Sequence, residues 1–398
     1  MIKCERVKSL AAAAAVVCLS MPARGDTYLV IPFFNASRAA NLDWIGESVS
    51  ESIREALANG GLMTLGRDER RESYRRLGLR TDARLTRATV MKIGQALDAD
   101  QVVYGEYELQ PAAAGSNSRG SLRITAHVLN LRGLKQGPEF SEIGSLEDLA
   151  GEQARVAWQT LQYVTPGRAL SEDEFRRQRP PVRVDAMENY IRGLLASDPE
   201  QKQKLFNQAF RLQPGYSQAA HQLGLLAYSR REYKAAADWL QKVSPSDPQY
   251  RQAVFYLGIC SFEAGDFAAA ESAFSLVAKT VPLNEVLNNL GAAQSRQNRP
   301  EAIDNFIKAL EGDSSDPVYQ FNVGYALWRQ RKFEAAAERF RAVLDRDPQD
   351  AEATKLLGRC LRQTGPKPAD TERLERIKAT YEESAYWQLK AVLQPEKP

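Results

Sequence analysis

Hydrophobic and polar residues near the N-terminus of this 398-residue chain follow first a strand-like and then a helical pattern. Residues 27–35 form a continuous apolar run with polar neighbours, which is typical of a buried strand. From Asp43 to Asn59 the apolar residues recur at spacings of one, four, four and four, which predicts a helix. Gly60-Gly61 ends that helix, and residues 62–65 are predicted as a short second strand.

The same analysis extends the predicted α/β unit to about residue 163. A second helix is predicted over about 87–97, followed by strands over 101–109 and 121–131. The residues between these two strands are rich in Pro, Ala, Gly and Ser, which predicts a hairpin loop. A last strand near Phe140 and a helix over 146–163 complete the unit.

Glycines recur at nearly constant spacing in the C-terminal half. They are Gly193, Gly224, Gly258, Gly291, Gly324 and Gly358, separated by 31, 34, 33, 33 and 34 residues. An alanine lies twelve residues after three of them, and a proline lies 24 residues after the same three. This pattern resembles the tetratricopeptide repeat, in which small residues are needed where the two helices of a hairpin cross. The resemblance implies an all-α solenoid of about five to six repeats over 185–398, closed by a capping helix over Glu372–Leu393.

The N-terminal unit resembles a second family. The resemblance is carried by Ile31-Pro32-Phe33, by residues 45–51 and 99–106, and by Arg123-Ile124-Thr125-Ala126 with Leu129. Over residues 26–164 the chain is similar to the TolB amino-terminal-like domain, which is related to domains of FlgO-type and CsgG-type envelope proteins. That resemblance implies a small non-enzymatic α/β unit of exported proteins, often fused to tetratricopeptide repeats. The fold class expected is therefore an α+β N-terminal domain followed by an all-α repeat solenoid, with residues 165–184 as a linker.

The first 25 residues have the features of a secretory signal peptide. Lys3, Arg6 and Lys8 precede an apolar stretch over 10–19, and Ala23-Arg24-Gly25 supplies small residues for cleavage. An amphipathic or buried N-terminal helix is the alternative. Cleavage after Gly25 would leave 49 basic and 49 acidic residues, a balance that does not favour nucleic-acid binding. The prediction is a periplasmic protein without a transmembrane span in its mature chain, with association with the outer membrane left open.

Motifs for catalysis, cofactor binding and metal binding are absent from the sequence. It contains no phosphate-binding glycine loop, no dinucleotide fingerprint and no zinc-binding helix. His127 and His221 are its only histidines, and Cys260 and Cys360 occupy small-residue positions of the repeats. We therefore expect no metal site, no cofactor and no enzymatic activity. Eight arginines over 67–87 are interpreted as a solvated face, with contact to anionic membrane lipids or to an acidic partner as the alternative.

The inner groove of the solenoid is the candidate functional surface. In this repeat the positions three before, one after and four after each glycine face the concave side. The predicted partner-binding residues are His221, Leu225, Tyr228, Phe255, Ile259, Phe262, Asn288, Ser295, Phe321, Tyr325, Trp328 and Arg329. Their aromatic side chains suit a protein or peptide partner, although they could instead pack between hairpins. The predicted function is an exported, non-enzymatic scaffold or adaptor; the alternative is an envelope ligand sensor whose α/β domain binds a small molecule.

Overall fold

The computed structural model describes residues 26–367, except 38, 111–119, 168–169 and 180, and residues 374–382, 385, 386 and 389. The predicted signal peptide and most of the predicted hairpin loop lie outside the described residues. Among the residues that are described, no helix combines the length and apolar character needed to cross a bilayer.

The N-terminal unit is a mixed sheet with helices on both faces. Its elements are β1 (Thr27–Val30), β2 (Phe34–Asn35), α1 (Trp44–Asn59), β3 (Met63–Thr64), α2 (Arg67–Arg76), α3 (Arg87–Ala96), β4 (Gln101–Gln110), β5 (Ser121–Asn130), β6 (Lys135–Ser145) and α4 (Leu149–Val164). The strand order is β3-β1-β4-β5-β6, with β2 also pairing with β4. Strand β1 is parallel to β3 and β4, whereas β4, β5 and β6 are antiparallel neighbours.

The run of apolar residues at 27–35 is divided into two strands rather than one. Pro32 has no backbone N–H for a strand ladder, and the N–H of Phe33 donates to the carbonyl of Gly46 in α1 at 3.1 Å. Within β1, Tyr28 and Val30 pack in the core beneath α1 and α4, while Leu29 packs in the separate core beneath α2 and α3. Both faces of β1 are therefore buried, which explains why its sequence is apolar without alternation.

Two arginines of α2 point inward, so the interpretation as a solvated face is wrong for these two, whereas the side chains of Arg75, Arg76, Arg80 and Arg84 are exposed. Arg70 is 4% exposed, and its guanidinium donates to the carboxylate of Glu47, to the hydroxyl of Ser50 and to the carbonyl of Val30. The Nε atom of Arg67 lies 2.8 Å from the same Glu47 carboxylate. A buried carboxylate needs such partners, and the arginines of α2 that supply them attach the helix to α1.

The repeats begin after a short linker helix, α5 (Glu172–Arg177). Within the part of the chain that the structure describes, five hairpins and one further helix follow: α6 (Val184–Leu195) with α7 (Pro199–Leu212), α8 (Ser217–Ser229) with α9 (Tyr233–Leu240), α10 (Tyr250–Glu263) with α11 (Phe267–Thr280), α12 (Asn284–Arg296) with α13 (Ala302–Gly312), α14 (Pro317–Arg329) with α15 (Phe333–Arg346), and α16 (Ala351–Leu361). Helix α6 shares one hydrophobic core with α1 and α4, so the solenoid starts directly on the α/β unit.

The repeat glycines lie where the paired helices cross. A Cβ atom at Gly258 would come within 2.7 Å of the Phe274 ring, and one at Gly291 within 2.8 Å of the Phe306 ring. Gly358 differs, because an added Cβ would meet only the Arg362 guanidinium at 3.6 Å. Close approach of the helices therefore accounts for the glycine period in the complete hairpins.

The predicted capping helix over Glu372–Leu393 is wrong for residues 374–382, which adopt neither helix nor strand. These nine residues, here called the tail segment, instead lie against the inner helices of the solenoid.

Candidate peptide-binding groove

The concave groove is lined by the first helix of each hairpin, and the tail segment crosses three of these helices. Its Arg376 bonds to Asn322 in α14, its Lys378 to Asn289 in α12, and its Tyr381 packs on Phe255 in α10. The segment therefore runs against the order of the repeats.

Asparagine side chains hold the backbone of the tail segment. The amide of Asn322 accepts from the N–H of Arg376 at 2.9 Å and donates to its carbonyl at 2.7 Å. The amide of Asn289 does the same for Lys378, at 2.7 and 2.8 Å. Asn288 joins the two, since it donates to the Arg376 carbonyl at 3.0 Å and accepts from Asn322 at 2.7 Å. Arg376 and Lys378, two positions apart, both direct their backbone N–H and C=O groups toward the asparagines. This alternation is typical of a strand, so the segment is extended.

These bonds explain why the tail segment is not helical. In a helix, the N–H and C=O groups of residues 376 and 378 would bond within the segment itself. In the groove these groups bond to three buried asparagines, Asn288, Asn289 and Asn322, each of which is 0% exposed. The asparagines and the backbone thus satisfy each other, and neither is left as an unpaired buried polar group.

One edge of the groove is basic. Arg296 and Arg329 are the last residues of α12 and α14. The fully buried carboxylate of Glu375 lies between them, with an Arg296 nitrogen at 2.8 Å and an Arg329 nitrogen at 3.6 Å. The hydroxyl of Ser295 donates to the same carboxylate at 2.6 Å. Two cations and a hydroxyl therefore form a carboxylate pocket at the C-terminal ends of the inner helices, where cations are also favoured by the helix dipole.

The opposite edge is acidic. Asp316 and Asp350 cap the N-termini of α14 and α16. Arg376 forms a two-pronged ion pair with Asp350, at 2.6 and 2.9 Å, and its guanidinium lies 3.5 Å from the centre of the Phe321 ring. Lys378 pairs with Asp316. Hydrogen bonding to Arg376 holds the pKa of the Asp350 carboxyl below its usual value, so this carboxyl is anionic at neutral pH.

Aromatic contacts hold the far end of the tail segment. The Tyr381 ring meets Phe255 edge to face, with ring centres 4.9 Å apart, and its hydroxyl accepts from Nε of Arg251 at 3.1 Å. Arg251 also lies over the ring of the buried Tyr386, at 3.4 Å. This part of the groove therefore holds an aromatic side chain between Phe255 and Arg251.

The predicted groove residues do not all contact the tail segment. The contacts described above include Phe255, Asn288, Ser295, Phe321 and Arg329. Tyr325 stacks between Phe321 and Trp328, and the indole N–H of Trp328 donates to the carbonyl of Thr364 at 2.9 Å. Tyr325 and Trp328 are each 3% exposed, so their rings pack largely within the last repeats.

The predicted residues near the start of the groove also pack within the repeats. Tyr228 lies on Tyr256, with ring centres 5.0 Å apart, and Phe262 lies on Phe267 at 5.4 Å. Leu225 is half-buried and Ile259 is buried. His221 is 1% exposed, and its ring nitrogens have no hydrogen-bond partner among the described residues. Burial lowers the pKa of His221 to about 4, so the ring is neutral at physiological pH.

Several residues that hold the tail segment were not predicted: Asn289, Arg296, Asn322, Asp316 and Asp350. A signal for two of them was present, because Asn289 and Asn322 each lie two positions before a repeat glycine. The predicted residues occupy the positions three before, one after and four after a glycine, with Arg329 beside them, so the position two before was missed. The two aspartates were predictable as helix caps, but their second contact depends on a distant part of the chain.

Comparison with known proteins places part of the chain among tetratricopeptide repeats. The family model "Tetratricopeptide repeat" matches residues 321–369. The solved structure of YrrB, described as "a TPR protein with an unusual peptide-binding site", is 18% identical and covers 43% of this chain and 91% of its own, with a TM-score of 0.40. MamA from Desulfovibrio magneticus RS-1 is 20% identical over 42% of this chain and 96% of its own, with a TM-score of 0.37. PilF of Pseudomonas aeruginosa is 19% identical over 45% of this chain and 83% of its own, also with a TM-score of 0.37. No curated protein matches the chain.

Proposed function

We propose that this protein is a non-enzymatic scaffold whose solenoid groove binds an extended segment of a partner protein. The observation that carries the proposal is the tail segment itself, a stretch of nine residues bound in the groove through its backbone. Backbone bonds of this kind accept many sequences, as in other modes of recognition of extended peptides. These contacts support a peptide site in the groove, and in the proposal a ligand lies there as the tail segment does.

The proposal also covers the cellular location of the protein and the role of its α/β unit. Residues 1–25 contain a cationic N-terminal region, an apolar stretch and small residues at the predicted cleavage site. These features support export to the periplasm and cleavage after Gly25. The intact mass of protein recovered from the periplasm tests this, since a chain that retains Met1 would contradict it. The resemblance of residues 26–164 to the TolB amino-terminal-like domain supports a role for the α/β unit in docking a second envelope partner, and peripheral contact with the membrane is part of the same proposal.

Capture of a partner from envelope extract tests the proposed function. Three full-length baits are compared: the parent, Glu375→Gln, and Glu375→Gln combined with Asn322→Ala. The first substitution replaces the buried carboxylate by a neutral amide and weakens the tail in its own groove. We expect Glu375→Gln to retain a partner roughly tenfold better than the parent, because more grooves are open.

The double variant is the matched control for this capture. Its tail is weakened further, because Asn322 also holds Arg376, but its groove lacks the amide that would hold the backbone of a bound partner. We expect it to lose the partner while keeping the circular dichroism spectrum of the parent. Equal capture by all three baits would place the interaction outside the groove.

A ligand sensor is the second candidate function. A cleft of about 760 Å³ lies between α1 and the start of the solenoid, lined among others by Glu55, Tyr190, Tyr216 and Asp247. Burial and the neighbouring Asp247 raise the pKa of Glu55 to about 7, and burial raises that of Asp247 to about 6. A small cationic ligand would favour the charged form of these two interacting carboxyl groups, against which Arg176, Arg177 and Arg179 also line the cleft. Thermal shift with organic amines, compared between the parent and Glu55→Gln, separates this candidate from the scaffold.

A further inference from the structure

We propose that the groove selects partner segments by charge order, requiring an acidic residue followed by cations one and three positions later. This inference rests on the proposed function and names the class of peptide that the groove takes. It is drawn from the opposite charges of the two edges and from the extended conformation of the bound chain.

The two edges are fixed by the direction of the inner helices. Helices α12, α14 and α16 are the first helices of successive repeats and pack in the same orientation. Their C-terminal ends place Arg296 and Arg329 on one edge of the groove, and their N-terminal caps place Asp316 and Asp350 on the other. A ligand in this groove therefore meets positive charge on one side and negative charge on the other.

An extended chain presents successive side chains to opposite sides. The asparagines fix its register, because Asn322 and Asn289 hold residues 376 and 378 through both backbone groups. With that register, Glu375 reaches the basic edge, and Arg376 and Lys378 both reach the acidic edge. A segment with the reversed order would place a carboxylate against Asp350 and a cation against Arg296. Like charges in contact disfavour such a ligand.

The occupant that we infer is an extended segment of another protein, with the tail segment as its intramolecular competitor. A tethered competitor acts at an effective concentration of the order of millimolar, so it excludes weak or wrongly charged segments. A partner with the correct charge order displaces it. The tail would thus set the minimum affinity that a partner segment needs in order to occupy the groove, and the matching ligand would exceed it.

Fluorescence anisotropy with synthetic peptides tests the charge order. The probe is the labelled peptide Leu-Glu-Arg-Ile-Lys-Ala-Thr-Tyr-Glu, which has the sequence of the tail segment. The control exchanges its second and third residues, so that composition and net charge are unchanged and only the order differs. The receptor is the full-length Glu375→Gln chain, whose groove residues are unaltered.

We expect the probe to bind the Glu375→Gln chain roughly tenfold more tightly than it binds the parent chain, because competition in cis is weaker. We expect the exchanged peptide to bind at least roughly tenfold more weakly than the probe. Equal binding of the two peptides would overturn the charge order while leaving the peptide-binding groove in place. No binding of either peptide would overturn the proposed function as well.

A second copy of this chain is the competing occupant, and light scattering on the same samples tests it. Under the proposal, the Glu375→Gln chain remains monomeric across the concentrations used. A concentration-dependent dimer that the probe dissociates would overturn the assignment to another protein, because the released tail would then fill the groove of its neighbour.

Discussion

Replacing Gly258 by valine is expected to lower the free energy of unfolding by about 3 kcal/mol. The new Cβ would stand 2.7 Å from the Phe274 ring, and the methyl groups would extend further into it. That ring is 0% exposed and also packs against Phe255 of α10, so it cannot move aside without disturbing the packing of the same hairpin. Either the helices separate or the side chains leave their preferred rotamers. Chemical denaturation followed by circular dichroism gives the change.

Gly358→Val is the matched control. This glycine occupies the equivalent position in α16, but an added Cβ there meets only the end of the flexible Arg362 side chain, at 3.6 Å. We expect a change within about 0.5 kcal/mol, because no packed side chain opposes the substitution. Equal losses in both variants would mean that valine disfavours these helices by itself and that the crossing does not explain the glycine period.

Asn322→Ala is expected to release the tail segment while the repeats stay folded. The substitution removes the two hydrogen bonds to the backbone of Arg376 and the bond to Asn288. Each buried bond of this type contributes on the order of 1 kcal/mol, and an unpaired buried group costs more. Release exposes the peptide bonds after Arg376 and Lys378 to trypsin. We expect cleavage at these two bonds, followed by mass spectrometry, to accelerate roughly tenfold or more.

Asn305→Ala controls for the loss of an asparagine from the solenoid. Its amide donates to Gln294 at 2.7 Å from α13, the second helix of its hairpin. We expect it to lower stability slightly and to leave cleavage of the tail unchanged. If Asn305→Ala accelerates cleavage as much as Asn322→Ala, general loosening of the repeats would explain the effect.

The repeats could be predicted from the sequence because the residues that define each hairpin lie close together in the chain. The glycine at 258, the phenylalanine sixteen residues later and the proline at 282 describe one hairpin and need no information from elsewhere in the chain. The α/β unit was predicted for the same reason, apart from the break at Pro32 and helix α2 (Arg67–Arg76). The inward-pointing arginines of α2 were not, because their partner Glu47 lies 20 residues before Arg67 and 23 before Arg70, where local charge patterning does not reach.

The extended conformation of the tail segment could not be predicted from the sequence of that segment. Its residues suit a polar-faced helix, and nothing within Glu372–Leu393 opposes one. The competing bonds come from Asn322 and Asn289, 54 and 89 residues earlier. Tertiary contacts of this range override local preference, so the extended conformation appears only when the groove is complete. The same asparagines were not predicted as groove residues, because they lie two positions before a repeat glycine and the prediction rested on the neighbouring positions that carry aromatic residues.

Hydrogen exchange at the amides of Arg376 and Lys378 in the full-length parent chain tests the central claim most directly. These amides donate to Asn322 and Asn289, so we expect them to exchange slowly when the chain is alone. Excess tail peptide, at roughly ten times the millimolar effective concentration of the tether, should make them exchange rapidly while the amides of α12 and α14 remain protected. Rapid exchange without peptide, or protection that saturating peptide leaves unchanged, would contradict a groove that holds the tail as a replaceable ligand.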